Sequence, residues 1–200
     1  MTGTIDASDA TPAVDREALL VELVDEQGRP VGSLPVAAAH TAPGRLHRAF
    51  SVLLFDPAGR VLLQQRAAVK TRFPLLWTNT CCGHPAPGQD VAEAAVIRLR
   101  EEMGLSAELT EVGKFTYQAD DPSTGRVEFE FDHVLIGRLT DATPEPDPAE
   151  VEEIAWIDPG SLAPAVAAYP QRYTPWLGGV LRVIAASGRA PRPNPGHTPA

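Results

Sequence analysis

Cysteine is nearly missing from these 200 residues: only Cys81 and Cys82 occur, side by side. Neighbouring cysteines rarely close a relaxed disulfide, so the chain is not built on the disulfide framework of a small secreted domain. With no C-x-x-C spacing, a redox pair is disfavoured too. Basic residues are outnumbered, 17 Lys and Arg against 26 Asp and Glu, leaving a net charge of -9. That balance argues against nucleic acid or an anionic membrane as the main partner, but a local basic pocket for a small anion fits inside an acidic protein. No apolar run approaches the length that spans a bilayer. The opening Met1-Thr-Gly-Thr-Ile-Asp lacks the basic and apolar regions of a signal peptide. The expectation is a cytoplasmic, soluble protein, a monomer or weak homodimer, whose partner is a small molecule.

What is present suits one globular domain: 200 residues, 44% hydrophobic, can bury a sizeable core, and no internal repeat divides them. Residues 1–15 are polar and aperiodic and are expected to form a disordered arm; 187–200 are Pro-rich and read as a disordered tail, leaving a domain over 16–186. Leu19–Val24 and Pro30–Leu34 flank Glu26-Gln27-Gly28-Arg29, a hairpin signature. Ala49–Phe55 and Arg60–Gln65 flank a second turn, Asp56-Pro57-Ala58-Gly59. Asp90–Met103 reads as a helix capped by Asp90 and ended by Gly104, with Ala92, Ala95, Val96, Leu99 and Met103 as its apolar side. Strands are expected over 107–118, 126–138 and 151–157, and helices near 160–168 and 174–186. Hairpins mixed with a few helices make an α+β fold with a mixed or antiparallel sheet.

Chemistry concentrates in Trp77-Thr-Asn-Thr-Cys-Cys-Gly-His-Pro85, which sets the Cys82 thiol two residues before the His84 imidazole, on an expected turn beginning at Gly83. In the following helix Arg98 and Glu102 stand four apart on one face. Taken alone, that spacing is most often a solvated ion pair. Glu128-Phe129-Glu130 would point two carboxylates to one face of a strand, where they repel unless a metal or a shared proton intervenes. His40 and His47 bracket Thr41-Ala-Pro-Gly44, so no helical period aligns them. With His84, Glu128 and Glu130 they make a candidate three-His, two-carboxylate site, whose ligands suit Mn²⁺, Zn²⁺ or Fe²⁺ better than Ca²⁺. His133 is unassigned, and His197 lies in the tail.

The run from Gly83 through Gln89 to Ile97-Arg98-Leu-Arg-Glu101-Glu102-Met-Gly104-Leu resembles the Nudix box, with Gln and Ile-Arg where that motif has Glu and Arg-Glu. Replacing a metal-binding Glu by Arg98 suits holding a diphosphate without hydrolysing it. The wider set resembles the type 1 isopentenyl-diphosphate isomerases over roughly residues 18–180. It comprises His40, His47, Arg66 and Lys70, the Trp77–Pro85 block, Arg98 and Glu102, Phe115-Thr-Tyr117, Glu128-Phe-Glu130, and Tyr173-Thr-Pro-Trp176. The resemblance implies a Nudix-like mixed sheet flanked by helices, and interconversion of isopentenyl and dimethylallyl diphosphates. It implies Cys82 and Glu130 as proton-transfer groups assisted by Tyr117, with Trp176 facing a cation-like centre. His40, His47, His84, Glu128 and Glu130 would bind one divalent metal, Mn²⁺ or Zn²⁺. Glu102 would hold a Mg²⁺ bridging to the diphosphate, with Arg66, Lys70 and Arg98 as cationic partners. Two other readings compete: a Nudix hydrolase, against which the altered box counts, and a non-catalytic Nudix-like module, against which the retained Cys82, carboxylates and histidines count.

Overall fold

The computed structural model describes residues 15–140 and 142–191. Its organising element is strand β3 (His47–Phe55), in which every residue but Arg48 is buried. A strand covered on both faces reads as an unbroken apolar run, as Val52–Phe55 does. β8 (Arg126–Arg138) lies parallel to β3 along its whole length, from His47↔Glu130 to Phe55↔Arg138. On the other side, β6 (Cys81–Gly83) runs antiparallel, with Ser51 opposite Cys82. β1 (Leu20–Val24) meets the start of β3 and forms a hairpin with β2 (Pro30–Pro35); β4 (Val61–Arg66) meets its end. β4 also pairs with the two-residue β5 (Trp77–Thr78) and with β9 (Val151–Ile157). β7 (Leu109–Asp121) and β8 form a long hairpin in which Tyr117 faces Glu130.

Alternation along β3 sends Phe50, Val52 and Leu54 to one face of the sheet, against Ala95, Leu99 and Met103 of α2 (Val91–Met103). Leu53 and Phe55 go to the other face, with Val134, Ile136 and Trp176, Val180 and Ile184 at and within α4 (Leu177–Ser187). Helices α1 (Val36–Ala39) and α3 (Pro159–Ala168) complete the α+β domain. The Asp90 carboxylate caps α2 by accepting from the N–H groups of Ala92 and Glu93, and Gly104 ends it at φ +64°. Among the described residues no helix is long and apolar enough to cross a membrane.

Three expectations need correction. Gly83 does not begin a turn: it closes strand β6, and a Cβ there would lie 3.0 Å from the Phe50 ring, so glycine is needed for close packing. On α2, Ala92 and Val96 are only half-buried, while Ala94, Arg98 and Glu102 are buried with Ala95, Leu99 and Met103. A charged pair at 2.6 Å can enter the buried face because each side chain supplies the other's counter-charge. The hairpin strand expected from residue 107 begins at Leu109 and runs on to Asp121. The arm and tail expectations, His197 included, fall largely outside the described residues. Asp15, assigned to the arm, is described, as is the end of α4 at Ser187.

Candidate active site

His40 follows α1, His47 opens β3, and His84 follows β6; Glu128 and Glu130 project from β8. Their ligand atoms all lie within 4.8 Å of one another. The main chain fixes two of the rings. His40 Nδ1 lies 2.7 Å from the Val36 carbonyl and His47 Nδ1 2.7 Å from the Arg45 carbonyl. A carbonyl only accepts, so each Nδ1 carries a hydrogen and each Nε2, turned toward the centre, is the atom free to bind a metal. Those Nε2 atoms, with Glu128 Oε2, are buried and have no hydrogen-bond partner. His40 Nε2 nevertheless sits 2.8 Å from Glu128 Oε2. A proton or a metal ion must lie between two lone pairs held that close, and with five ligand atoms gathered within 4.8 Å these residues fit a divalent metal.

Glu130 serves two sides at once. Its Oε1 is 2.8 Å from His84 Nε2 and 3.6 Å from His47 Nε2, whereas its Oε2 accepts from the Tyr117 hydroxyl at 2.5 Å. Burial works against the charged carboxylate, but the two imidazoles outweigh it and hold Glu130 well below the usual range. Burial pushes His84 down to about 4, so it is a neutral ligand at pH 7. For His47 burial is overcome by Glu130, and its affinity for a proton rises. The Tyr117 hydroxyl is pushed up by burial and by Glu130.

Cys82 approaches from β6, on the opposite side of β3 from Glu130. Burial pushes its thiol up to about 12, only partly offset by Arg66, whose Nη1 stands 3.8 Å from Sγ. Cys81 points to the other face of the sheet, fully buried in the α2-side core. The indole of Trp176 is tilted 33° against the Tyr117 ring, with ring centres 5.9 Å apart, and lies under the Arg66 guanidinium at 5.6 Å. Its Nε1–H donates to Asn79 Oδ1 at 3.0 Å, which pins the ring plane.

Cys82, His84, Tyr117, Glu128, Glu130 and Trp176 line one cavity of about 660 Å³. Arg66, Lys70, Arg98 and Glu102 line the same cavity. Two of the three cations assigned to diphosphate, Lys70 and Arg98, already share a partner that the sequence did not indicate. Glu150 bridges Lys70 and Arg98, lying 2.6 Å from Arg98 Nη2, and Arg16 is 3.4 Å away. Burial is outweighed by Lys70 and Arg98, and Glu150 is held down at about 2. Glu150 lies in the acidic run Glu150-Val-Glu-Glu153, where no period singles it out. Asp132 was missed as well: fully buried beside Ser51 Oγ at 2.8 Å, it is pushed well up by burial and by Glu130. The Glu128-Phe-Glu130 alternation, carried one step further, pointed to it.

The NUDIX domain family matches residues 45–177. The architecture is similar to DR0079 from Deinococcus radiodurans, with a TM-score of 0.65 at 22% identity over 82% of this chain and 97% of that one. It is also similar to a MutT protein from Methanosarcina mazei, with a TM-score of 0.59 at 13% identity over 72% of this chain and 96% of that one. The fold and the site thus define a Nudix protein whose box has lost part of its acidic set. Its near relatives are more specific. An isopentenyl-diphosphate Delta-isomerase from Nocardia farcinica is 66% identical over 84% of this chain and 96% of its own length. One from Streptomyces griseus is 49% identical over 82% and 83%. The chain belongs to the type 1 isopentenyl-diphosphate isomerases of the Nudix superfamily.

Proposed function

We propose that the chain interconverts isopentenyl and dimethylallyl diphosphates by adding a proton to one carbon of the alkene and removing one from another. The observation that carries this reading is the division of Glu130, one oxygen turned to His47 and His84 and the other to Tyr117, with the Cys82 thiol across β3. Moving an isolated double bond needs one group that gives a proton and a separate one that takes it. At rest the thiol holds its proton and Glu130 does not, so Cys82 can give where Glu130 takes; the reverse reaction exchanges the roles. After a turnover the pair holds the same number of protons on exchanged sites, and solvent exchange resets it. Tyr117 stabilises the Glu130 carboxylate and offers a route for that exchange.

Between the two transfers the substrate is cation-like. Trp176, fixed by Asn79, offers an aromatic face that stabilises positive charge without capturing it as a nucleophile would. Its burial helps exclude water, which would quench that charge. Arg66, Lys70 and Arg98 bind the diphosphate, and remote binding energy of that kind holds a small alkene in register. His40, His47, His84, Glu128 and Glu130 would hold a Mn²⁺ or Zn²⁺ ion, and Glu102 a Mg²⁺ that accompanies the diphosphate. When bound, these ions supply Lewis acidity and charge neutralisation. We read the chain as a cytoplasmic monomer or weak homodimer.

The test is incubation with isopentenyl diphosphate and Mg²⁺ in D₂O, followed by NMR. Deuterated dimethylallyl diphosphate without released phosphate supports the reading. Unchanged substrate with a folded, metal-loaded protein rejects it, and released phosphate supports a hydrolase.

A further inference from the structure

Glu128 uses its Oε2 toward His40, but its Oε1 has a separate partner that neither the Nudix box nor the ligand set includes. Arg72 Nε lies 3.2 Å from Glu128 Oε1. The same guanidinium is anchored from behind, its Nη1 donating to Glu17 at 2.8 and 3.1 Å. Arg72 is therefore clamped between a carboxylate of the candidate metal site and one of the segment before β1. Glu17 and its neighbour Arg16 line the cavity, and Arg16 reaches Glu101 on the opposite wall at 2.5 Å.

The backbone around Arg72 is held in an unfavourable conformation. Phe73 has φ +46° and Leu75 φ +61°, which side chains larger than glycine seldom adopt. Such strain persists only where the surroundings over-determine it, and it collects at functional sites. Here the Arg66 guanidinium donates to the Arg72 and Phe73 carbonyls, at 2.8 to 3.2 Å, and Asp121 accepts from the Phe73 N–H at 2.6 Å. The Phe73 ring packs edge-on against Trp176. The one loop thus locates Arg66 and Trp176 with its carbonyls and its phenyl ring, and Glu128 with its arginine.

We propose that Arg72 is a positioning residue that orients Glu128 for the metal and is itself held in place from behind by Glu17. The inference rests on the metal-site reading above. A planar guanidinium engages two carboxylates along separate N–H edges, which a lysine ammonium cannot reproduce. Outer partners of this kind typically set metal affinity by 10- to 100-fold.

The test uses metal-stripped full-length protein and competition for Zn²⁺ and Mn²⁺ against a chromophoric chelator. Arg72→Lys keeps the charge, and so the repulsion between cation and metal, while losing the fork; affinity should fall at least about tenfold. The d–d spectrum of the Co²⁺-loaded protein should change with it. Glu17→Gln, at a half-exposed position that leaves the core intact, should also weaken metal binding, because it frees the guanidinium that Glu17 anchors. If Arg72→Lys binds metal as the parent does and the Co²⁺ spectrum is unaltered, the inference is overturned while the isomerase reading stands. If Glu17→Gln binds metal as the parent does, the anchoring role of Glu17 is overturned. A parent protein that takes up no divalent ion overturns the metal-site reading and this inference together.

Discussion

The Tyr117 hydroxyl and Glu130 Oε2 are 2.5 Å apart, directly paired across the β7–β8 ladder. The contact places a proton donor on the carboxylate oxygen that is turned away from the histidines. Tyr117→Phe removes only that hydroxyl and leaves the ring against Trp176. Turnover should fall by about 10²-fold, the low end for general acid–base assistance, with KM little changed. Steady-state kinetics would show it; a loss confined to KM would instead assign Tyr117 to substrate binding.

The two cysteines should separate cleanly. Cys82→Ser should abolish isomerisation and solvent deuterium incorporation while circular dichroism stays that of the parent. Cys81→Ala, in the α2-side core, should retain most of the turnover at a modest cost in stability. Comparable activity losses in both variants would contradict the assignment of one thiol to each face of the sheet.

Removing metal should expose the uncompensated His40–Glu128 contact. Protein stripped by a chelator should melt lower, and Zn²⁺ or Mn²⁺ at about 1,000 times its Kd should restore roughly 4 kcal/mol. His40→Ala should abolish that ligand-induced rise. A stripped protein whose melting temperature ignores added metal would remove the basis for the five-residue site.

Alkaline pH should destabilise the fold through Cys82. Its thiol is raised to about 12 from an ordinary value of 9, so between those values the folded chain retains a proton that the unfolded chain releases. Stability from this group is complete below about pH 9 and is lost as pH rises toward 12. Urea titrations at pH 8 and pH 10.5 should differ, and Cys82→Ala should shrink the difference. An equal pH slope in parent and variant would exclude this thiol as the source.

Gly179 in α4 tests the packing of that helix on the sheet. A Cβ there would lie 2.2 Å from Phe115 Cε2, whereas at Gly178 its nearest neighbour would be Arg182 Nη1 at 3.5 Å. Ala for Gly gains up to about 1 kcal/mol of helix propensity at either position. Overpacking costs about 1–3 kcal/mol, so Gly179→Ala should be destabilised and Gly178→Ala stabilised in urea unfolding. Matching shifts in the two would deny that Phe115 packs directly on α4.

Local signals were enough where chemistry and chain geometry coincide. The Asp90 cap and Gly104 stop of α2, and the same-face placement of Glu128 and Glu130, follow from short-range periodicity and turn chemistry, and the structure repeats them. The burial of Arg98 and Glu102 did not follow, because a hydrophobic pattern ranks charged residues as exposed unless the partner is known. The turn expected to begin at Gly83 is instead the end of β6, since three residues carry no period and only β3 supplies the hydrogen bonds that make them a strand.

By itself the sequence determined the α+β class, the family and the ordered set of reactive side chains, because those depend on residue type and spacing along the chain. Only the tertiary structure decided that His40 and His47 turn their Nε2 atoms to one centre, since carbonyls of the surrounding chain set their tautomers. It alone set Cys82 and Glu130 on either side of β3, placed Glu150 between Lys70 and Arg98, and clamped Arg72 between Glu17 and Glu128. Those contacts join residues 52 to 80 positions apart along the chain, or strands that meet only through sheet pairing, and no local pattern encodes a partner at that distance.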